Sequence, residues 1–342
     1  MRIGVLTGGG DCPGLNAVIR AAVLKGIDAY GFEFIGFRDG WKGPIEGLTT
    51  PLDRSVVEHI LPIGGTILGS SRTNPVKMDG GIDAIRATME RLGVDALLAI
   101  GGEDTLGVAT HLHSLGIKVV GAPKTIDNDL SATDYTFGFD TAVQIAVDAC
   151  DRLATTGASH HRAMIVEVMG RHAGWIALHT GMAASAHVTL LPEQEYDVEE
   201  VAATVAAVAA RGEAPLIVIS EGAIAAGGDL VHTGAELDAF GHVQLKGAGQ
   251  ALEKILNEKL PDLATRVTVL GHLLRGGTPT AYDRILGTRS GLSAVTAIAE
   301  GNFGTMAALR GTEVVQVPLA EATGELKTVG KDRIDELAHV SG

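Results

Sequence analysis

The stretch RIGVLTGGGDCPGLNAVIRAAVL, Arg2–Leu24, falls into three pieces. Arg2–Thr7 is a short apolar run of strand length, and Leu15–Leu24 repeats apolar residues at three- and four-residue spacing. Between them Gly8–Gly14 breaks both periods. A buried strand, a glycine turn and a helix in that order open a βαβ unit, and the pattern recurs. Asp95–Ile100 reads as a strand, Gly101–Thr105 as a turn, Leu106 to about Leu115 as a helix, and Lys118–Ala122 as the next strand, ending at Pro123. Strands at Arg162–Val168, Leu216–Ser220 and Arg266–Leu270 run into Met169-Gly170-Arg171, Glu221-Gly222 and Gly271-His272. The small residues coating the helix Glu199–Arg211 suit packing on a sheet, whereas polar, Gly-rich Ala225–Gly234 reads as an exposed loop. The expected class is α/β with parallel sheets. In such sheets ligands bind beyond the strands' carboxyl ends, where helix N-termini aim N–H groups and positive dipole ends into one crevice. The polar clusters are therefore expected to converge.

Composition narrows the function. With 41 acidic and 27 basic side chains the net charge is −14, which argues against a nucleic-acid backbone as partner. At about 150 residues per domain, 342 residues suggest two domains. Glycine supplies 46 residues, close to double the usual ~7%, in short blocks that suit close backbone approach. No apolar run reaches the roughly 18 to 20 residues that span a bilayer, and Gly8–Gly10 interrupts the N-terminal run before it could serve as a secretory signal. The expectation is a soluble cytoplasmic protein that does not engage a membrane. Cys12 and Cys150 are too few for a disulfide scaffold or a structural zinc site and read as reduced thiols. Neither His160-His161 nor His111 with His113 has zinc-ligand spacing.

The turns carry the chemistry. Gly8–Gly14 lets backbone N–H groups approach an anion, yet it lacks the Gly-Lys-Ser/Thr ending of a Walker loop and the G-x-G-x-x-G spacing. Tight strand-to-helix packing alone would also call for these glycines. Gly101-Gly102-Glu103-Asp104-Thr105 sets two carboxylates at a strand end, where phosphates would require a cation such as Mg2+. Complementing the next helix's dipole is the alternative role. Lys124-Thr125-Ile126-Asp127-Asn128-Asp129 offers a base and charge control within one turn, since an aspartate near its reference pKa of about 3.9 is ionised at neutral pH. Arg72, Arg162, Arg171, Arg266 and Arg275 are forked donors suited to phosphate oxygens.

In order and spacing, Gly8–Gly14, Gly69-Ser70-Ser71-Arg72, Pro123–Asp129, Val166–Arg171 and Leu270–Gly277, followed by Tyr282-Asp283-Arg284, resemble the phosphofructokinases over nearly the whole chain. The resemblance implies two Rossmann-like parallel-sheet domains between which the chain passes more than once. Residues 1–138 plus about 274–327 would bind phosphoryl donor and Mg2+, and about 139–273 plus 328–342 would bind sugar phosphate. It implies that Asp127 takes the proton from the 1-hydroxyl of fructose 6-phosphate, with Lys124, Asp104 and Arg171 completing the catalytic group and Glu103 as the Mg2+ ligand. Gly10 and Arg72, with Asp104 and Lys124, would face the donor. Thr125, Asp127, Asp129, Met169, Gly170, Arg171, Glu221, His272 and Arg275 would hold the sugar phosphate. Arg162 and Arg266 match arginines that relatives supply from a neighbouring subunit, which implies a homodimer or homotetramer with shared active sites.

Two departures refine the likeness. ATP-using members usually carry Gly where Asp104 stands, and many carry Gly in place of Lys124, so the chain resembles the pyrophosphate-using branch. A carboxylate about 4 Å from the α-phosphate of ATP would be repelled by about 4 kcal/mol at an effective ε near 20, and pyrophosphate has no such phosphate. Where allosteric bacterial members place basic residues in an effector pocket, this chain aligns Leu24, Ala154 and Glu213 and keeps Arg20 and Arg54, implying weak or absent effector control. Three rivals remain at this point. They are the ATP-dependent version of the reaction, an NAD kinase sharing a similar glycine turn, and a sugar-phosphate sensor without catalysis.

Overall fold

The computed structural model describes residues 1–228, 232–237, 243–245, 247–322 and 324–340. Its strands are β1 (Arg2–Thr7), β2 (Glu33–Phe37), β3 (Thr49–Pro51), β4 (Ala96–Gly101), β5 (Val119–Pro123), β6 (Ala163–Val168), β7 (Val188–Leu190), β8 (Leu216–Ser220), β9 (His232–Leu237), β10 (Val243–Leu245), β11 (Thr265–Val269), β12 (Thr305–Arg310) and β13 (Glu313–Pro318). Among the described residues one sheet runs β13-β12-β5-β4-β1-β2-β3. It is parallel from β12 to β2, and the antiparallel β13 and β3 form its edges. The second sheet, β11-β6-β8-β7, is parallel throughout, and β9 and β10 pair as an antiparallel ribbon. Central strands β1, β4, β5, β6 and β8 are buried on both faces, which is why their sequences read as continuous apolar runs rather than alternating ones.

The strand order places the crevices. β1 lies between β2 and β4, so successive crossovers leave it on opposite sides and open a gap at the carboxyl ends of β1 and β4. The Gly8–Gly14 turn emerges there, and so does Gly102 with the helix Glu103–Ser114, whose first residues replace the turn expected at Gly101–Thr105. In the second sheet β6 lies between β8 and β11, and Met169–Arg171 and Glu221 leave the corresponding ends. The helix Phe139–His160 joins the two halves. Its Ala142, Ala146 and Cys150 share one apolar core with Ile3 and Val5 of β1 and Met164 and Val166 of β6.

That helix is anchored to the helix Ala281–Glu300 at their N-termini. The buried Asp283 carboxylate accepts from the Thr141 N–H at 2.8 Å and its hydroxyl at 2.5 Å, while Thr280 donates to Asp140 at 2.6 Å. Burial pushes the Asp283 carboxyl up to about 6 against these hydrogen bonds.

Most expected elements form close to the bounds read from sequence, with two corrections. The helix that opens at Leu15 continues through Gly26, which faces Phe34 where a side chain would not fit, and stops at Tyr30, where Gly31 at φ +63° caps it. In the expected loop Ala225–Gly234, residues 229–231 lie outside the described residues and His232–Gly234 begin β9. The Ala-rich helix forms over Val198–Ala210 and buries Val201, Val205 and Val208, its Val201 and Val205 joining Ile217 and Ile219 of the second sheet in one core. Both cysteines are free and buried, and burial raises the pKa of each thiol, that of Cys150 to about 12. No helix among the described residues is long and apolar enough to cross a membrane.

Candidate active site

The glycine turn after β1 is built for backbone approach. Gly9 has φ +78°, a left-handed conformation that favours glycine; its N–H donates to the Ser71 carbonyl at 3.2 Å, and its carbonyl accepts from the Ser70 hydroxyl. A side chain at Gly10 would collide with the Arg275 guanidinium, so glycine there lets an arginine from residue 275 lie over the turn. Gly14, at φ +109°, starts the following helix.

The turn after β4 leads directly into the helix Glu103–Ser114. Glu103 and Asp104 occupy its first turn, where the helix dipole favours negative charge, and both also line the cleft. A place in the helix's first turn and a place on the cleft wall therefore coexist. After β5, Lys124 turns inward, is buried, and its ammonium donates to the Gly10 carbonyl, tying the third turn to the first. Burial lowers its pKa, and Arg275 acts in the same direction while Asp127 and Asp11 oppose. The Thr125 hydroxyl accepts from the Asp127 N–H at 3.0 Å, and its carbonyl accepts from the Thr136 hydroxyl at 2.8 Å.

One cleft gathers Gly10, Arg72, Glu103, Asp104, Lys124, Thr125, Asp127, Asp129, Arg171, Glu221 and Arg275 from the expected residues. Gly9, Gly102, Thr105, His172, Ala173 and Leu326 line it as well. His172 and Ala173 continue the Met169–Arg171 motif and could have been read from it. Leu326 lies far along the chain and carries no local signal. Met169 and Gly170 are absent from the cleft wall: Met169 packs on the core and the Gly170 carbonyl accepts from the Ser220 hydroxyl at 2.6 Å.

Arg162, Arg266 and His272 also lie away from this cleft. Arg162 precedes the six-residue β6, so it sits about 20 Å from the end that delivers Arg171. Arg266 pairs with Met164 near the same amino end, on the edge strand β11, and is exposed. His272 is exposed on the short helical turn Gly271–Arg275, which sends Arg275 inward instead.

The cleft carries shifted carboxyl groups and an orphaned donor. Burial, reinforced by Asp127, raises the Asp129 carboxyl well above the usual range. Burial and Asp127 likewise push Glu221 up to about 7, against the pull of Arg171. The Arg171 Nε is buried without a hydrogen-bond partner among the described residues, as expected of a donor kept for a ligand. No group of three candidate metal-ligating side chains clusters among the described residues. The carboxylate oxygens of Glu103 and its neighbours nevertheless suit a hard cation, which takes one or two protein carboxylates and completes its shell with water and phosphate.

Known proteins resemble this chain in sequence and in fold. The phosphofructokinase family profile matches residues 2–298. The chain is 62% identical over 336 residues to the pyrophosphate–fructose 6-phosphate 1-phosphotransferase of Amycolatopsis methanolica, with 98% of each chain covered. It is 53% identical over 341 residues to ATP-dependent 6-phosphofructokinase 2 of Streptomyces coelicolor, covering 99% of this chain and all of that one. The structure of Pichia pastoris phosphofructokinase in the T-state superposes with a TM-score of 0.83 at 28% identity, covering 99% of this chain and 36% of that longer one.

Proposed function

This chain belongs to the phosphofructokinase family, and from that premise we propose that it moves phosphate from pyrophosphate to the 1-hydroxyl of fructose 6-phosphate, giving fructose 1,6-bisphosphate and phosphate in a reversible reaction. The observation that carries the donor assignment is Asp104 on the cleft wall, one residue past Glu103. Its carboxylate would repel a nucleotide α-phosphate about 4 Å away by about 4 kcal/mol, roughly a thousandfold in affinity. Pyrophosphate escapes that penalty. The relative at 62% identity bears the pyrophosphate name and the one at 53% the ATP name, in keeping with this choice.

In this reading Asp127 accepts the proton of the sugar's 1-hydroxyl as that oxygen bonds to phosphorus and the bridging P–O bond of pyrophosphate breaks. Lys124, the Gly10 turn and Arg72 hold the donor and meet the charge on the leaving phosphate. Glu103 would hold Mg2+, which would neutralise charge on the transferring group. Thr125, Asp129, Arg171, Glu221 and Arg275 orient the sugar phosphate. Arg162 and Arg266 point to a neighbour's site, so the working form is a homodimer or homotetramer in the cytoplasm. Sheet membership supports cutting the chain at about 138, 273 and 327 into a donor domain and a sugar-phosphate domain.

One observation favours ATP as a second reading. A groove lined by Asn74, Val76, Gly107, Val108 and His111 adjoins Asp104 and could receive a nucleoside. Phosphorus NMR of the purified protein with fructose 6-phosphate, Mg2+ and pyrophosphate tests the proposal. One phosphate and one bisphosphate should appear per pyrophosphate consumed, and an unchanged spectrum would refute it.

A further inference from the structure

Lys327 lies some two hundred residues from the Lys124–Asp129 turn in sequence, and it grips that turn from outside. Its ammonium donates to the Asn128 side-chain oxygen at 3.1 Å, the Thr133 carbonyl at 2.8 Å and the Asp134 carbonyl at 2.9 Å. A lysine has three N–H donors, and all three are used. The backbone takes part too: the Lys327 N–H donates to the Asp129 carbonyl at 2.8 Å, and Leu326 bridges to Leu130. From the sugar side Trp175 donates its indole N–H to the Lys327 carbonyl at 2.8 Å, with its ring 5.8 Å from the ammonium.

The object held is a strained turn. Asn128 has φ +52°, in the left-handed region that asparagine tolerates better than most residues but still at a cost. Its side-chain oxygen accepts from the Thr136 N–H at 3.2 Å as well as from Lys327, so one atom fixes the turn between the neighbours Asp127 and Asp129. The charged groups around the ammonium are Asp134 and Asp129, which favour its charge, and Arg310, which opposes it. Burial outweighs the carboxylates and lowers its pKa to about 8, so the ammonium persists at neutral pH.

We propose that Lys327 is a positioning residue for phosphoryl transfer, holding the Asn128 turn so that the Asp127 carboxylate points at the attacking hydroxyl. The assignment rests on Asp127 being the base. Lys327 touches no reacting group itself; it acts through Asn128 and Asp129.

Lys327→Met keeps the stem and removes the donors. Steady-state kinetics with pyrophosphate, fructose 6-phosphate and Mg2+ should show kcat lower by about 10- to 100-fold, with both KM values within about threefold of the parent. Added to Asp127→Ser, the same change should cost nothing further, because the group it aims is gone. Asn128→Gly, which permits the left-handed backbone but lacks the acceptor, should lower kcat in the same way and serves if Lys327→Met does not fold. An unchanged kcat in the folded variants, a loss confined to KM, or an undiminished extra loss on the Asp127→Ser background would overturn the proposal. Near-parental turnover by Asp127→Ser alone would instead remove the base assignment, so the two failures are separable.

Discussion

On the first sheet β1, β4 and β5 end in turns that meet within one chain, and Gly10, Glu103, Asp104, Lys124 and Asp127 face a common cleft. On the second, β6 and β8 deliver Arg171 and Glu221 to that cleft, while Arg162 and Arg266 lie toward the strands' opposite ends. The contrast follows from what each side has to hold. A small inorganic anion can be cradled by glycine turns, a helix N-terminus and one lysine, all local to a sheet's switch point. A phosphate on a sugar lies farther out and would call for more forked cations than Arg171 and Arg275, and Arg162 and Arg266 lie where this chain's own cleft does not reach them. Under the proposed function, one copy would suffice for donor and metal, and Arg162 and Arg266 of a second copy would complete the sugar-phosphate site.

The strongest test of the first half is Asp127→Ser. It should lower kcat by about 10²- to 10⁴-fold, the usual range for a general base, while fructose 6-phosphate binding measured by calorimetry stays detectable. The second half breaks or holds on Arg162→Ala and Arg266→Ala. Each should raise the KM for fructose 6-phosphate by about 10- to 100-fold through loss of charge-assisted hydrogen bonds. Mixing Arg162→Ala with Asp127→Ser subunits after exchange should restore part of the lost activity, whereas sites complete within one chain would give no recovery. A smaller effect is expected from pH. Burial and Asp127 push the Glu221 carboxyl up to about 7, and under the proposed function its carboxylate would be the stronger acceptor for sugar hydroxyls, so affinity for fructose 6-phosphate should fall several-fold as pH drops from 8 to about 6. Glu221→Gln should flatten that profile. The least change is expected from ADP or phosphoenolpyruvate, below about twofold in rate. Arg54 is already paired with Asp28, and Glu213 with Arg211 and His187. A sigmoidal response to either effector would contradict this.

Legibility differed between the same two regions. Buried parallel strands announce themselves as apolar runs, so β1 and β8 could be bounded to the residue, and the glycine turns after β1 and β4 followed. Edge strands did not: Thr49–Pro51 is three residues held by pairing to β2, a tertiary cause with no local period. Gly10, Glu103, Asp104 and Lys124 were legible as cleft residues because each motif sits in one short segment at a strand end. Lys327 was not, since its partners at 128, 133 and 134 become neighbours only when the C-terminal segment returns across the cleft. The raised Asp129 and Glu221 carboxyls were equally hidden, because burial and the proximity of Asp127 belong to the fold and not to spacing.

The central claim, that Asp104 excludes the nucleotide, is tested most directly by kcat/KM for pyrophosphate and for ATP, measured in parallel on the parent enzyme and on Asp104→Gly. The parent should prefer pyrophosphate by about 10²- to 10³-fold, and the substitution should erase most of that preference by gaining ATP turnover. Faster use of ATP by the parent, or a preference for pyrophosphate that survives the loss of the carboxylate, would contradict the account.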